Sequence, residues 1–257
     1  MTLLDALVLG IVQGLTEFLP VSSSAHLVMF EELLGANEPG VAFDALVHGG
    51  TLLAVLVYFR RRILDLVRTR CWSYAGKIVV GTIPAGIVGV LFESAIERAF
   101  SVPALIVGTL FVTGAALLSL RAIPEGRPEA GEPTWWQAWW IGCAQMISIL
   151  PGISRSGSTI VTARWLGIAP AASAEFSFLL GVPVIAGAVV LQVGELRAAT
   201  AAGAALPYLI GWIAALLSGI VAIVLVFRLL ARRGFSRFGW YCWAAAAAFG
   251  AWLWLRG

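Results

Sequence analysis

Charged residues are scarce in this chain, and their scarcity excludes most soluble folds. They make up 12% of the 257 residues, against roughly 25% in a soluble domain. Lysine is almost absent, with Lys77 standing beside 16 arginines. The three cysteines, Cys71, Cys143 and Cys242, have the spacing of neither a disulfide framework nor a metal site. On so apolar a chain, a net charge of +3 marks membrane topology, and nucleic acid is not an expected partner.

Apolar residues are abundant instead, at 60% of the chain with a mean hydropathy of +0.92. Six apolar runs approach the ~20 residues that cross a hydrocarbon core. They are Val41–Phe59, Ile78–Phe92, Val102–Leu120, Ala174–Val193, Ala204–Leu230 and Phe238–Leu255. Many tryptophans gather near the ends of these runs, as in interfacial belts. We therefore predict an all-α integral membrane protein, with residues 1–257 forming a single membrane domain.

Arginine-rich loops orient the spans, because cytoplasmic loops carry an excess of positive charge. The loop Arg60–Lys77 holds six basic residues, and Arg228–Arg237 holds four. Both belong in the cytoplasm. Because successive spans alternate in direction, the loop at 121–134 also lies in the cytoplasm, and the loops at 93–101 and 194–203 lie outside.

Two pairs of segments resemble each other although they must run in opposite directions. Ala42–Val47 matches Glu175–Leu180 on its phenylalanine. Upstream, Gly10–Gln13 with Leu19-Pro20 matches Gly142–Gln145 with Leu150-Pro151. Similar sequences of opposite orientation predict an inverted-topology repeat, with halves at about 1–120 and 135–257.

The remaining apolar pieces are too short to span or are broken at Pro or Gly. They form two pairs, Leu3–Leu19 with Ser22–Leu34 and Trp135–Leu150 with Thr159–Ile168. Such breaks at membrane depth are tolerated where the backbone is buried in protein or lines a wet cavity. We predict two re-entrant helical hairpins, one entering from each side, in addition to the six transmembrane helices.

The tip of the first hairpin carries Gln13, Glu17, Ser22, Ser23 and His26. If Ser23 opens the second helix, His26 lies three residues later on the same face, where hydroxyl and imidazole can cooperate. The simpler interpretation is a serine helix cap and a hydrogen-bonded histidine. Ionisable residues inside a membrane hairpin are costly, however, and therefore indicate a functional site.

The tip of the second hairpin reads Pro151-Gly-Ile-Ser154-Arg155-Ser156-Gly157-Ser-Thr159. Small residues leave backbone N–H groups free to form an anion-binding nest, and the Arg155 fork fits phosphate. The alternative is a structural arginine paired with a buried glutamate such as Glu17 or Glu175. The many small polar neighbours of Arg155 favour binding of an oxyanion over a structural ion pair. Together the tips offer the groups that phosphoryl transfer needs, and a carboxylate facing phosphates could hold Mg²⁺ or Ca²⁺.

These motifs resemble a known family, the undecaprenyl-pyrophosphate phosphatases or bacitracin-resistance family. The stretch Gln13-Gly-Leu-Thr-Glu17-Phe-Leu-Pro-Val-Ser-Ser-Ser-Ala-His26 is similar to its first signature, and Pro151–Thr159 to its second. Glu175–Pro183 is also similar to the family.

The resemblance implies hydrolysis of a C55 polyprenyl pyrophosphate to the monophosphate, recycling the lipid carrier of cell-wall glycan synthesis. It implies a multi-pass protein of the plasma membrane with its active site open to the outer, periplasmic face, and a divalent cation, Mg²⁺ or Ca²⁺. Membrane lipids and a second copy of the chain in a homodimer are the other expected partners. The residues that match the family's site are Glu17, Ser22, Ser23, His26, Ser154, Arg155 and Thr159.

Two positions depart from the family pattern. Some members carry Glu where Gln13 stands here, which leaves Glu17 as the one carboxylate of this motif. His48 stands where the family often has Gln; it is either a compensating polar group or, as we expect, a hydrogen-bonded helix histidine. Both side chains are expected to contact the site residues and not the substrate.

As a mechanism we predict that Ser23 attacks the terminal phosphorus while His26 accepts its proton. Arg155 and the backbone of residues 152–158, with Ser156 and Gly157, would hold the oxyanion, and Glu17 would bind the cation or orient His26. In the competing version water attacks, with Glu17 or His26 as base. A different class of function, a transporter that flips polyprenyl phosphate, also fits an inverted repeat. A nucleophile and base three residues apart favour chemistry.

Overall fold

The computed structural model describes residues 1–34, 40–124, 129–199, 203 and 205–256. Within these residues it contains thirteen α-helices, joined by short loops and by 3₁₀ turns at Leu120–Ala122 and Phe235–Arg237. The helices are α1 Leu3–Phe18, α2 Ser23–Leu34, α3 Gly40–Tyr58, α4 Arg60–Arg68, α5 Trp72–Leu91, α6 Glu93–Phe100, α7 Pro103–Ser119, α8 Trp135–Ile147, α9 Arg155–Trp165, α10 Pro170–Leu191, α11 Val193–Ala199, α12 Ala205–Ala231 and α13 Phe238–Arg256.

The predicted integral membrane character is confirmed by the length and surface of the helices. Within the described residues, α5, α7, α10 and α12 are long and apolar enough to span a membrane, and α3 with the bent α4 makes a fifth candidate. Large apolar side chains cover their outer faces, such as Val79 and Val90 on α5, which are 61% and 75% exposed. All six predicted spans are helices. The sixth, α13, is long but rich in Trp and Tyr, which lowers its hydropathy.

The two helices with matching sequences, α3 and α10, lie antiparallel. Phe59, after the end of α3, contacts Phe178 near the start of α10, and Gly49, near the middle of α3, faces Val189 near the end of α10. Each also holds a phenylalanine against a tyrosine, Phe43 on Tyr208 and Phe176 on Tyr74.

The first helix of each predicted hairpin packs against a span of the other half. Helix α1 runs alongside α12, and α8 runs alongside α5. Glycines permit both contacts, because a methyl group on Gly10 would collide with the backbone of Gly211, and one on Gly142 with that of Gly81. The two halves therefore interlock.

Helices α1 and α8 also begin in the same way. Thr2 with Asp5 and Thr134 with Gln137 each form a capping box, in which both residues bond to the other's backbone N–H. The hydrogen bond from the Thr2 backbone N–H, and after it the Thr2 side chain, lowers the pKa of the exposed Asp5 carboxyl.

Ion pairs tie the loops together at the end of the bundle that carries the arginine-rich loop. Arg62 bonds to Glu175 and Glu132, and Lys77 lies 3.6 Å from Glu132. The 121–134 loop thus lies at the same end as the 60–77 loop, as parity predicts.

Helix α9 begins four residues earlier than predicted, at Arg155. Ser154 is its N-cap, and its hydroxyl accepts the N–H of Gly157. When a serine is the N-cap, the helix begins at the next residue. Arg155, Ser156 and Gly157 consequently form the first turn of a helix and not an open loop.

Candidate active site

The buried carboxylate of Glu17, on the last turn of α1, is the centre of the site. Arg155 donates to its Oε1 over 2.6 Å. Ser23 donates to its Oε2 over 2.8 Å, and Gln13 donates to the same oxygen over 3.0 Å. Since an uncompensated buried charge is costly, these three partners explain how an ionised Glu17 is tolerated here.

Ser23 and Arg155 occupy the same position in two similarly built tips, the first residue of α2 and of α9. The preceding serine, Ser22 or Ser154, accepts a bond from the N–H three residues later. Its hydroxyl also contacts that of the serine two residues later. The two tips are thus built by the same local bonds, and they place a hydroxyl and a guanidinium on opposite oxygens of one carboxylate.

The tips touch each other directly, as the sequence predicts. Besides the Arg155–Glu17 ion pair, the Ser156 hydroxyl donates to the backbone oxygen of Leu19 over 3.2 Å. A methyl group on Gly157 would lie 3.3 Å from the Pro20 ring. The second tip therefore packs closely on the first.

Arg155 lies flat against α10. Its Nη1 donates to the backbone oxygen of Ser177, and a methyl group on Gly181 would collide with the guanidinium. The absence of a side chain at Gly181 is therefore what gives the guanidinium its place beside Glu17.

Most of the predicted phosphate ligands are buried and bonded within the protein. The hydroxyls of Ser22, Ser154 and Thr159 are almost fully buried. Thr159 bonds to the backbone oxygen of Arg155 and to the Ser177 hydroxyl. These groups shape the tips, whereas Ser23 and Arg155 are half-buried.

The predicted backbone nest at 152–158 has few free donors. Four of its N–H groups are already bonded within the protein, those of Ile153, Ser154, Gly157 and Ser158. Two threonines of α7 hold the turn from behind, since Thr109 donates to the Pro151 oxygen and Thr113 to the Gly152 oxygen. The Arg155 side chain is the stronger anion ligand.

His26 is buried, and both of its ring nitrogens contact oxygen atoms. Nδ1 lies 2.8 Å from the Ser22 carbonyl, and because a carbonyl accepts, Nδ1 carries a proton. Nε2 lies 2.8 Å from the Tyr241 hydroxyl of α13. The structure thus differs from the predicted Ser23–His26 pair, since Ser23 bonds to Glu17.

His48 contacts the site from α3. Its Nδ1 lies 2.7 Å from the backbone oxygen of Asp44, which confirms the expected helix hydrogen bond. Its Nε2 lies 3.7 Å from Glu17 Oε2. After Arg155 and Gln13, His48 is therefore the third side chain that places a nitrogen atom near this carboxylate.

A divalent cation fits these residues only together with a phosphate ligand. Within the described residues, no three His, Cys, Asp or Glu side chains are grouped to hold a metal ion. Glu17 supplies one carboxylate, and the buried Oε1 of Gln13 has no hydrogen-bond partner there. Mg²⁺ commonly uses one or two carboxylates plus substrate phosphates, and this donor set suits such sharing.

Sequence reasoning missed several residues that position the site: Thr109, Thr113, Ser177, Gly181 and Tyr241. Thr109 and Thr113 had a usable signal, because two hydroxyls four residues apart inside an apolar span indicate a polar contact. Ser177 and Gly181 lie within the family-like stretch Glu175–Pro183, which was not assigned to the site. Tyr241 had no signal, since its partner His26 is distant in sequence.

Comparison with known proteins gives one consistent result. Residues 6–248 match the family model described as bacitracin resistance protein BacA. Three curated proteins named undecaprenyl-diphosphatase are similar over nearly their whole length. That of Methanobrevibacter smithii is 38% identical over 95% of both chains, that of Geobacter sulfurreducens 39% over 100% of both, and that of Geobacter metallireducens 40% over 95% of this chain and 96% of its own.

Proposed function

The chain belongs to the bacitracin resistance protein BacA family, and we propose that it is an undecaprenyl-diphosphatase. It hydrolyses undecaprenyl pyrophosphate to the monophosphate and phosphate, which returns the lipid carrier to cell-envelope glycan synthesis. The relatives named undecaprenyl-diphosphatase, which match over nearly the whole chain, support this activity.

One observation carries the proposal: Ser23 and Arg155, each the first residue of a helix, hold opposite oxygens of the buried Glu17. A hydroxyl, a carboxylate and a guanidinium in contact are the groups that attack a phosphorus atom, take up a proton and stabilise charge on phosphate oxygens. All three belong to the motifs at 13–26 and 151–159.

Substrate binding uses Arg155. Its guanidinium already contacts an anion, Glu17, and a pyrophosphate carries more negative charge and fits the same fork in bidentate fashion. The pyrophosphate therefore displaces Glu17 from Arg155, and the ion pair keeps the guanidinium in place until then. Glu17 is left bonded to Ser23 and free to act as a base.

Ser23 is the nucleophile. Its oxygen forms a bond to the terminal phosphorus, the bond from that phosphorus to the bridging oxygen breaks, and undecaprenyl monophosphate leaves with that oxygen. The Ser23 proton passes to Glu17, the acceptor of its hydrogen bond. Water then hydrolyses the phosphoserine. His26, the acceptor predicted from the sequence, instead keeps the first tip in shape through Ser22 and Tyr241.

We propose that the side-chain oxygens of Gln13 and Glu17 would help to hold a divalent cation, Mg²⁺ or Ca²⁺. It would supply positive charge that offsets the charge of the phosphates. Chelation with EDTA should therefore lower phosphate release, and added Mg²⁺ or Ca²⁺ should restore it. Full activity in EDTA would exclude a required cation.

The placement in the membrane is also part of the proposal: six transmembrane helices and two re-entrant hairpins, α1–α2 and α8–α9, in an inverted repeat. The antiparallel α3 and α10, and the similar capping of α1 and α8, support it. The protein then lies in the plasma membrane with its site open to the outer face. Labelling of single cysteines from each side tests this orientation, and light scattering tests the proposed homodimer.

The nucleophile is tested with Ser23→Ala, compared with Ser24→Ala as a control at a neighbouring half-buried serine. Ser23→Ala should lose phosphate release by several orders of magnitude, since loss of a covalent nucleophile can cost ~10⁶. Ser24→Ala removes only the contact with the Ser22 hydroxyl and should lose far less turnover. Acid quenching during turnover should trap phosphoserine at position 23. Near-normal turnover by Ser23→Ala would exclude the covalent route and favour attack by water.

Lipid transport is the second candidate, favoured by interlocking halves with a polar site between broken helices. Phosphate release in detergent separates the two, because no membrane gradient or sidedness exists there. Release by the purified protein supports hydrolysis, and binding without release would leave transport.

A further inference from the structure

Helix α4, Arg60–Arg68, forms a surface that the proposed reaction does not use. A bend of 61° separates it from α3, so it turns away from the direction of the span. Residues 60–70 hold five arginines against one acidic residue, Asp65. This is the densest positive charge in the sequence, and it lies at one end of the bundle.

One face of α4 is fixed to the protein. Ile63 and Leu66 pack against the main core. Arg62 bonds to Glu175 and Glu132, so its charge is already satisfied. These contacts determine which residues of α4 point outward.

The outward face has an apolar stripe beside a basic one. Leu64 and Val67, three residues apart, are 50% and 58% exposed, and Trp72 just beyond the helix is 66% exposed. Arg61 and Arg68, seven residues apart, share the neighbouring exposed stripe. Arg70 follows in the turn and is also exposed.

We infer that α4 lies in the membrane interface and binds the headgroups of anionic phospholipids. An interfacial helix buries its apolar stripe at the acyl boundary and presents its basic residues to headgroups. Leu64, Val67 and Trp72 supply that stripe, and a guanidinium binds a phosphate in bidentate fashion. Arg61, Arg68 and Arg70 are the headgroup ligands.

The charge of α4 selects the partner. Helix α6, Glu93–Phe100, is equally short and follows the opposite end of the next span, but it carries Glu93 and Glu97 with one arginine. Phe100 of α6 is 39% exposed, so apolar exposure alone is common to both ends of the bundle. The excess of arginine distinguishes α4 from α6, and each arginine near the surface favours an anionic leaflet by about fivefold.

The test measures binding of dioleoyl phosphatidylglycerol to the delipidated full-length protein in detergent by native mass spectrometry. Phosphatidylcholine with the same chains is the neutral comparison. The variant Arg61→Gln/Arg68→Gln/Arg70→Gln should bind phosphatidylglycerol at least about fivefold more weakly, the equivalent of one arginine. Its binding of phosphatidylcholine and its phosphate release should not change.

The matched control is Arg228→Gln/Arg232→Gln/Arg237→Gln, which removes the same charge from three exposed arginines of the other basic loop. It should keep the tight binding. An equal loss in both variants would mean that net charge alone attracts the lipid, and no loss in the α4 variant would mean that the lipid binds elsewhere. Either result overturns the inference. If the triple variant folds poorly, the single variant Arg61→Gln is measured instead, and a smaller loss of phosphatidylglycerol binding is expected.

Discussion

The two tips, taken with the helix end that precedes each (residues 13–26 and 145–159), have the same framework but different chemical groups. Both follow a capped helix with a glycine contact to a span of the other half, and both place a capping serine before the second helix. The first residue of that helix is Ser23 in one tip and Arg155 in the other.

Only the first tip has a carboxylate, Glu17, that accepts hydrogen bonds from Ser23 and Arg155. Glu17 follows Gln13 by one helical turn, whereas the matching residue after Gln145 is the apolar Ile149. Gln13 therefore has a carboxylate to bond to, and both amide atoms of Gln145 are buried without a partner in the described part of the chain. The comparison teaches that the repeated framework supplies the scaffold and that a few unmatched residues supply the chemistry.

After Ser23→Ala, the largest expected effect comes from removing the guanidinium of the second tip. Arg155→Ala should lower turnover by about two to three orders of magnitude, the usual cost of one donor to a developing oxyanion. Arg164→Ala on the same helix α9 is the control, because Arg164 pairs with Glu129 away from the site. Phosphate release by both proteins checks this, and equal turnover would mean that the second tip is purely structural.

A smaller loss is expected when the guanidinium is displaced but kept. In Gly181→Ala the new methyl group collides with Arg155, and misplacement of a catalytic group by about 1 Å can cost ~10² in rate. We expect a loss of tenfold or more in kcat/KM. Gly187→Ala, on the same helix with open space around its methyl group, should behave as the unmodified protein. Matching losses in both variants would point to a defect of α10 itself.

The smallest effects distinguish the two matching glutamines. Gln13→Leu removes a hydrogen bond to Glu17, and bonds to charged groups contribute about 1.5–3 kcal/mol, so a loss of about tenfold or more is expected. Gln145→Leu removes a buried amide that has no hydrogen-bond partner among the described residues, so turnover should hold and Tm should stay or rise. Turnover and thermal unfolding of both proteins check this difference. A loss of turnover in Gln145→Leu but not in Gln13→Leu would contradict it.

Local sequence predicted much of this molecule. The six spans and the two broken pairs follow from apolar run length and from Pro20 and Pro151, and each appears as helix within a few residues. Glu17, Ser23 and Arg155 stood out because polar groups are costly among apolar neighbours. The start of α9 was placed four residues too late, since Gly157 and the serines indicate a loop until Ser154 is recognised as a cap.

The sequence by itself determined the membrane class, the family and the residues of the two tips, because apolar length and contiguous motifs are properties of the chain alone. Tertiary structure decided which of those residues meet. It paired Ser23 with Glu17 and not with His26, gave His26 to Tyr241, and placed Arg155 against Gly181. Tyr241 is 215 residues from His26, and side chains so distant come together only when the interlocking halves pack.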